Sequence, residues 1–178
     1  TLTSYCYQNM FFGCTSLTAA PELPATTLAS YCYSSMFYNC TSLTTAPALP
    51  ATTLAGNCYR GMFYNCTGLI TAPALPATTL ANQCYDNMFT GCKKLTTAPA
   101  LPATTLASYC YQNMFFGCTK IKLSTTKTGG YVNEYRVPTV GTGIDNTNTM
   151  NSMFASTGGT FVSTPTINTI YYTENQVI

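Results

Sequence analysis

One 26-residue unit occurs five times in near-identical copies through the first two-thirds of the chain. Its second copy reads Ser30-Tyr31-Cys32-Tyr33-Ser34-Ser35-Met36-Phe37-Tyr38-Asn39-Cys40-Thr41-Ser42-Leu43, followed by Thr44-Thr45-Ala46-Pro47-Ala48-Leu49-Pro50-Ala51-Thr52-Thr53-Leu54-Ala55. Cysteine recurs as Cys6, Cys32, Cys58, Cys84 and Cys110, and again as Cys14, Cys40, Cys66, Cys92 and Cys118. A fixed period of this length marks units that bury their apolar faces only against their neighbours. It predicts a stacked surface that holds or binds something, and it speaks against an enclosed active site.

Comparing the copies separates inward columns from outward ones. Ser4, Ser30, Gly56, Asn82 and Ser108 share the position before each Tyr/Cys segment, and these residue types suit a helix N-cap. Nine residues later stand Gly13, Asn39, Asn65, Gly91 and Gly117, the types that most easily take the left-handed conformation ending a helix. A short helix is therefore predicted in each copy. Cys32, Met36 and Cys40 fall at i, i+4 and i+8, on one face of it, with Tyr33 and Phe37 beside them. These columns hardly change and are assigned to the core. The columns of Tyr31, Asn57 and Gln83, of Ser34, Arg60 and Asp86, and of Phe12, Tyr38 and Thr90 vary and are placed outside. Leu43-Thr44-Thr45-Ala46 reads as a short strand, closed by Pro47, which has no N–H to donate to a ladder.

A helix bearing Met-Phe-x-Gly/Asn-Cys-x-x-Leu, then a strand and a Leu-Pro turn, resembles the BspA-like leucine-rich repeats and the repeat region of mycoplasma-type surface lipoproteins. The match covers residues 1–123. The resemblance implies an α/β repeat fold, a right-handed leucine-rich-repeat solenoid with short helices and short parallel strands. It also implies a surface or secreted protein of the kind found in gut and oral bacteria, often linked to adhesion, with no catalytic residues to transfer.

After Cys118 the pattern breaks. Residues 120–123 read as one more strand, residues 131–140 as β structure interrupted at Pro138, and residues 151–158 as a worn sixth helix whose Met153-Phe154 matches Met36-Phe37. Residues 160–162 and 170–172 suggest closing strands. A stack of repeats needs an atypical end unit, so 124–178 reads as a β-rich C-terminal cap; the alternative is the start of another domain.

Charged residues make up only 7% of the 178, against about 25% in ordinary soluble domains. Polarity comes from Thr, Ser, Asn and Tyr, which suits neutral partners such as glycans or other proteins. The net charge of +2 is too small to imply nucleic acid as the main partner. No apolar run approaches the roughly 20 residues that span a bilayer. Thr1-Leu2 sits in the register of Thr27-Leu28, inside a repeat, so the chain reads as a piece of a longer protein with neighbouring domains.

Three readings of the ten cysteines remain. Within a helix, i and i+8 lie about 12 Å apart, too far for a cystine, whose Cα atoms stand within about 7 Å. Cystines between neighbouring copies and a metal site are the other two, but the chain has no His and no Cys-x-x-Cys. Two internal thiol ladders fit best, with Cys acting as a small buried apolar residue. No cofactor is expected. Five acids, Glu22, Asp86, Glu134, Asp145 and Glu174, with no pair in one repeat column and no His, leave catalysis without machinery.

The candidate ligand contacts are Tyr31, Tyr38, Tyr64, Arg60 and Phe116. Tyrosine offers rigid contact area and a hydroxyl at recognition surfaces; the alternative is that these rings pack sideways on one another. Lys93, Lys94, Lys120, Lys122 and Lys127 read as a solubility patch rather than an anion site. Asn39-Cys40-Thr41 and Asn65-Cys66-Thr67 match the glycosylation sequon, but both Asn already have helix-ending roles. The chain is thus expected to be a non-enzymatic interaction module, extracellular on a cell or virion surface or secreted, contacting host protein or glycan. The second expectation is a structural spacer or appendage, including one on a bacteriophage particle.

Overall fold

The computed structural model describes residues 2–137 and 146–174. It overturns the expected fold class. No helix forms in any repeat, and among the described residues the regular elements are β1 (Leu123–Ser124), β2 (Tyr131–Arg136), the four-residue α1 (Asn146–Thr149) and β3 (Ile170–Glu174). The three strands form one open antiparallel sheet in the order β1-β3-β2. The α/β leucine-rich-repeat solenoid with parallel strands is therefore not what this chain builds. The strand expected at residues 43–46 shrinks to isolated parallel bridges, Ala19 to Thr45 and Thr45 to Thr71, with a third between Thr53 and Thr79. The prolines that follow in every copy supply no donor and stop such a ladder from growing.

Each expected helix is instead a ribbon of consecutive tight turns. In the second copy Ser34 N donates to Tyr31 O, Met36 N to Tyr33 O, Tyr38 N to Ser35 O and Cys40 N to Phe37 O, at 3.0–3.2 Å. Only alternate residues make these i→i+3 bonds; the residues between them donate out of the coil altogether. Tyr31 N, Tyr33 N, Ser35 N, Phe37 N and Asn39 N reach Gly56 O, Cys58 O, Arg60 O, Met62 O and Tyr64 O of the next copy at 2.8–3.0 Å. Every backbone donor of the ribbon is thus paired without a helix, half within the coil and half between coils.

The conformational cause is a left-handed residue every four positions. Tyr31, Ser35 and Asn39 have φ of 58°, 52° and 60°, and the pattern repeats at Asn57, Gly61, Asn65 and at Gln83, Asn87, Gly91. A left-handed residue costs roughly 1–2 kcal/mol unless it is Gly or, to a lesser degree, Asn or Asp. Two of the three columns answer that requirement at every position but Ser35: Asn9, Ser35, Gly61, Asn87, Asn113, and Gly13, Asn39, Asn65, Gly91, Gly117. The second set was read as helix ends; its conformation is as expected, but there is no helix for it to end. Ser30, Gly56 and Asn82 likewise are not N-caps, since their carbonyls accept from Tyr5, Tyr31 and Asn57.

The ribbon turns side chains two in, two out. Cys32, Tyr33, Met36, Phe37 and Cys40 point inward and are buried, as are their counterparts in the third, fourth and fifth coils. Phe rings form a continuous stack, Phe11–Phe37–Phe63–Phe89–Phe115–Phe154, with centroids 5.4–5.6 Å apart. A parallel stack of Tyr7, Tyr33, Tyr59, Tyr85 and Tyr111 runs beside it at 5.6–6.0 Å. Leu43, Leu69 and Leu95 close the core from the far side.

Residues 149–157 form a sixth coil, made of turns where a worn helix was expected. Tyr111 N, Asn113 N, Phe115 N and Gly117 N donate to Thr149 O, Asn151 O, Met153 O and Ala155 O. The residue offset between paired coils, 25 from Tyr7 to Cys32, becomes 38 from Tyr111 to Thr149, because β1, β2 and α1 intervene. The expected strand at 120–123 contracts to β1, residues 160–162 form none, and β3 matches the expected 170–172. The stretch 138–140, including Pro138, lies outside the described residues. Ser152 N donates to Thr164 Oγ1 and Phe154 N to Ser163 O, so two of the last coil's outward donors are paired with the segment that follows it.

Candidate interaction surface

The outward positions of the ribbon are each left-handed residue and the one before it, so their spacing is fixed by the backbone ladder beneath them. Tyr38 and Tyr64 stack face to face at 4.5 Å and 2°, and Phe12 lies on Tyr38 at 4.7 Å. Tyr31 stacks on Tyr5 at 4.8 Å. The sideways-packing reading of these rings is therefore what the geometry adopts. Their faces are spent on one another, and what solvent meets is a row of ring edges and hydroxyls. Burial and the neighbouring Tyr64 hydroxyl push Tyr38 above its ordinary value. Thr90 interrupts this column; Phe116 stands beyond it, 41% exposed.

Arg60 stands in a separate outward column. Its Nε donates to Asp86 Oδ2 at 3.0 Å, with Asp86 almost fully buried and the Arg60 side chain half exposed. Burial raises the Asp86 carboxyl, while Arg60 and the Asn87 amide pull it back down. Several residues placed outside by their variability prove to be inside: Ser34, Asn57, Asp86 and Thr90 are all buried. Variation there tracks which small or paired group fills the space between coils, so variability alone did not report exposure.

Asn65 Nδ2 donates to Asn39 Oδ1 at 2.8 Å, an amide pair across neighbouring coils that borders the tyrosine row. It was not foreseen as part of the surface; the signal was the shared column of two Asn. The sequon matches at these positions thus fall on amides already engaged with each other.

All ten cysteines are free thiols. Eight are buried and form the two inward columns; Cys6 and Cys14, assigned to the same core ladders, are exposed because no coil covers the outer face of the first one. In the second column each thiol has a directed role. Cys40, Cys66, Cys92 and Cys118 donate Sγ–H to the carbonyls of Phe11, Phe37, Phe63 and Phe89 at 3.0–3.1 Å. Burial pushes the Cys40 thiol up to about 11 and the Cys66 and Cys118 thiols up to about 12. These are protonated, structural groups. Among the described residues no cluster of three or more His, Cys, Asp or Glu side chains is arranged to hold a metal ion.

Of the lysines, Lys122 pairs with Glu174 at 3.0 Å and ties the fifth coil's end to β3. Lys93, Lys94 and Lys120 are exposed. No helix among the described residues is long and apolar enough to cross a membrane. No family model, no curated protein and no solved structure matches this chain.

Proposed function

We propose that this chain is a non-enzymatic interaction module of a surface or secreted protein, contacting protein or glycan through the outward columns of its turn ribbons. The observation that carries the reading is the row formed by Phe12, Tyr38 and Tyr64, held at 4.5–4.7 Å spacing. Rigid rings presenting edges and hydroxyls supply contact area at little entropic cost on binding.

The test uses residues the columns already contain. Tyr31→Gln, Tyr38→Thr and Tyr64→Thr together place the types of Gln83 and Thr90 in the second and third coils, which keeps the ribbon. Loss of binding to glycan and matrix-protein arrays with an unchanged melting temperature supports the reading. Unchanged binding rejects this face.

A rigid spacer or appendage is the second reading, favoured by the uninterrupted inter-coil ladder and by the identity of residues 4–15 with residues 108–119. An antibody against the chain separates the two. Signal on intact cells of the source culture favours the adhesive module, and signal confined to shed virus particles favours the appendage.

A further inference from the structure

The outward column of Phe12, Tyr38, Tyr64, Thr90 and Phe116 holds two phenols, and they are neighbours. Their rings lie 4.5 Å apart between centroids and 2° from parallel, with the hydroxyls close enough to interact. Both residues are partly exposed. The backbone beneath them is pinned on either side. Phe37 N donates to Met62 O and Asn39 N to Tyr64 O, both at 2.9 Å, and Asn65 Nδ2 donates to Asn39 Oδ1 at 2.8 Å. Neither ring can drift from the other while the coils stay stacked.

A tyrosine ring turns about the axis from Cβ to the hydroxyl. That axis passes through the ring centre, so a change in χ2, a broad torsion in tyrosine, leaves the centroid in place. Turning both rings out of the stack brings one Cε of each, the carbon ortho to the hydroxyl, edge to edge across the gap. In a biaryl the ring centres stand two ring radii plus one C–C bond apart, and the observed 4.5 Å is close to that length. The inner tyrosines do not offer this. Tyr7, Tyr33, Tyr59, Tyr85 and Tyr111 stand 5.6–6.0 Å apart, and all but Tyr7 are buried. Tyr5 and Tyr31, at 4.8 Å and 14°, are less well aligned.

We propose that Tyr38 and Tyr64 are an oxidative cross-linking site, coupled by hydrogen peroxide acting through a haem peroxidase into a dityrosine staple between the second and third coils. Each phenol gives up one electron and its hydroxyl proton. The two radicals pair to form the Cε–Cε bond, and the two Cε hydrogens leave as protons while the oxygens are protonated again. In sum the pair loses two electrons and two protons, which reduce one peroxide to two waters. The new bond ties neighbouring coils covalently and restrains the unfolded chain as a disulfide does. The site does not depend on what the aromatic row binds.

The test treats dilute whole protein, its reactive thiols first capped with iodoacetamide, with a haem peroxidase and hydrogen peroxide. Trypsin then separates residues 1–60 from residues 61–93, because Arg60 is the only Lys or Arg before Lys93. The expected product is these two peptides joined in the monomer, lighter by two hydrogens than their sum, with fragmentation placing the bond between Tyr38 and Tyr64. Tyr64→Phe keeps a ring of the kind Phe12 and Phe116 already place in this column, and it should lower the yield of joined peptide at least tenfold. Tyr85→Phe should leave the yield unchanged. The stapled protein should also melt higher than Tyr64→Phe treated alike. No joined peptide, links only between molecules, a joined peptide that survives Tyr64→Phe, a bond to a residue other than Tyr38, or no rise in melting temperature would each overturn the proposal.

Discussion

The Sγ of Cys66 donates to the carbonyl of Phe37 at 3.0 Å, one coil back, and that same carbonyl already accepts the N–H of Cys40. The thiol therefore fills a slot and adds a second donor to an acceptor that is not left bare without it. Cys66→Ala is expected to cost about 1–2 kcal/mol, mostly the cavity of the lost sulfur. Cys66→Ser, which keeps a donor, should separate the two terms. Guanidinium unfolding of the pair checks this: equal losses would mean that the hydrogen bond contributes nothing.

Thiol chemistry should divide the ten cysteines sharply. Cys6 and Cys14 are expected to be modified at once by an aromatic disulfide reagent in native buffer, and the other eight only after denaturation. The thiolate is the reacting form, and burial holds Cys40, Cys66, Cys84 and Cys118 protonated to about 11 or 12. More than two fast thiols would show that the coils open locally.

The same burial sets an alkaline limit. A group whose folded value lies above its unfolded one stabilises the fold below the unfolded value and loses that contribution as pH rises through the folded one. The thiols start from about 9 when unfolded, and Tyr33, pushed up to about 12 by burial, adds to them. Each group costs about 1.4 kcal/mol per pH unit once it titrates only in the unfolded chain. With eight buried thiols acting together, stability should be nearly flat to about pH 8 and collapse within about two units above it. Circular dichroism melts across pH 7–11 check this, and a constant Tm to pH 11 would contradict it.

How far this architecture could be read from the sequence turns on the four-residue rhythm of Cys32, Met36 and Cys40. It identified the inward columns correctly, because a helix stripe and a four-residue turn ribbon both bring i, i+4 and i+8 to one side. It could not separate the two, since a helix of 3.6 residues per turn drifts only about 40° per step at this spacing. The deciding signal was the column Asn9, Ser35, Gly61, Asn87 and Asn113, four of whose five residues are Gly or Asn in mid-segment; its observed left-handed φ interrupts any helix. Tyr31 in the same conformation gave no such signal; its φ of 58° is held by the ladder and by stacking on Tyr5. The aromatic row at Tyr38 and Tyr64 was legible as outward-facing, but its face-to-face stacking follows from coil spacing that only three dimensions supply.

Arg60 and Asp86 are coupled in a way that a double mutant can measure. Asp86 is nearly fully buried, and removing Arg60 leaves its charge supported only by the Asn87 amide. Arg60→Gln is expected to destabilise by roughly 1–3 kcal/mol. Adding Asp86→Gln should recover most of that, because Gln8 and Gln112 already occupy this column. Additive losses in thermal unfolding would mean that the pair is not coupled.

Two buried tyrosines should respond oppositely to loss of their hydroxyls. The Tyr59 OH is buried with no hydrogen-bond partner among the described residues, whereas the Tyr135 OH donates to Pro99 O at 3.1 Å and pins β2 to the fourth coil's proline turn. An unpartnered buried hydroxyl bears its desolvation cost with no return, so Tyr59→Phe keeps the ring stack on Tyr33 and Tyr85 and is expected to be neutral or stabilising by up to about 1 kcal/mol. Tyr135→Phe removes a real bond and should cost about 1 kcal/mol. Burial also holds Tyr59 far above its ordinary value, so Tyr59→Phe should soften the alkaline collapse as well. Thermal melts of both variants at pH 7 and pH 10 decide the matter: a destabilised Tyr59→Phe at pH 7 would show that its hydroxyl has a partner after all.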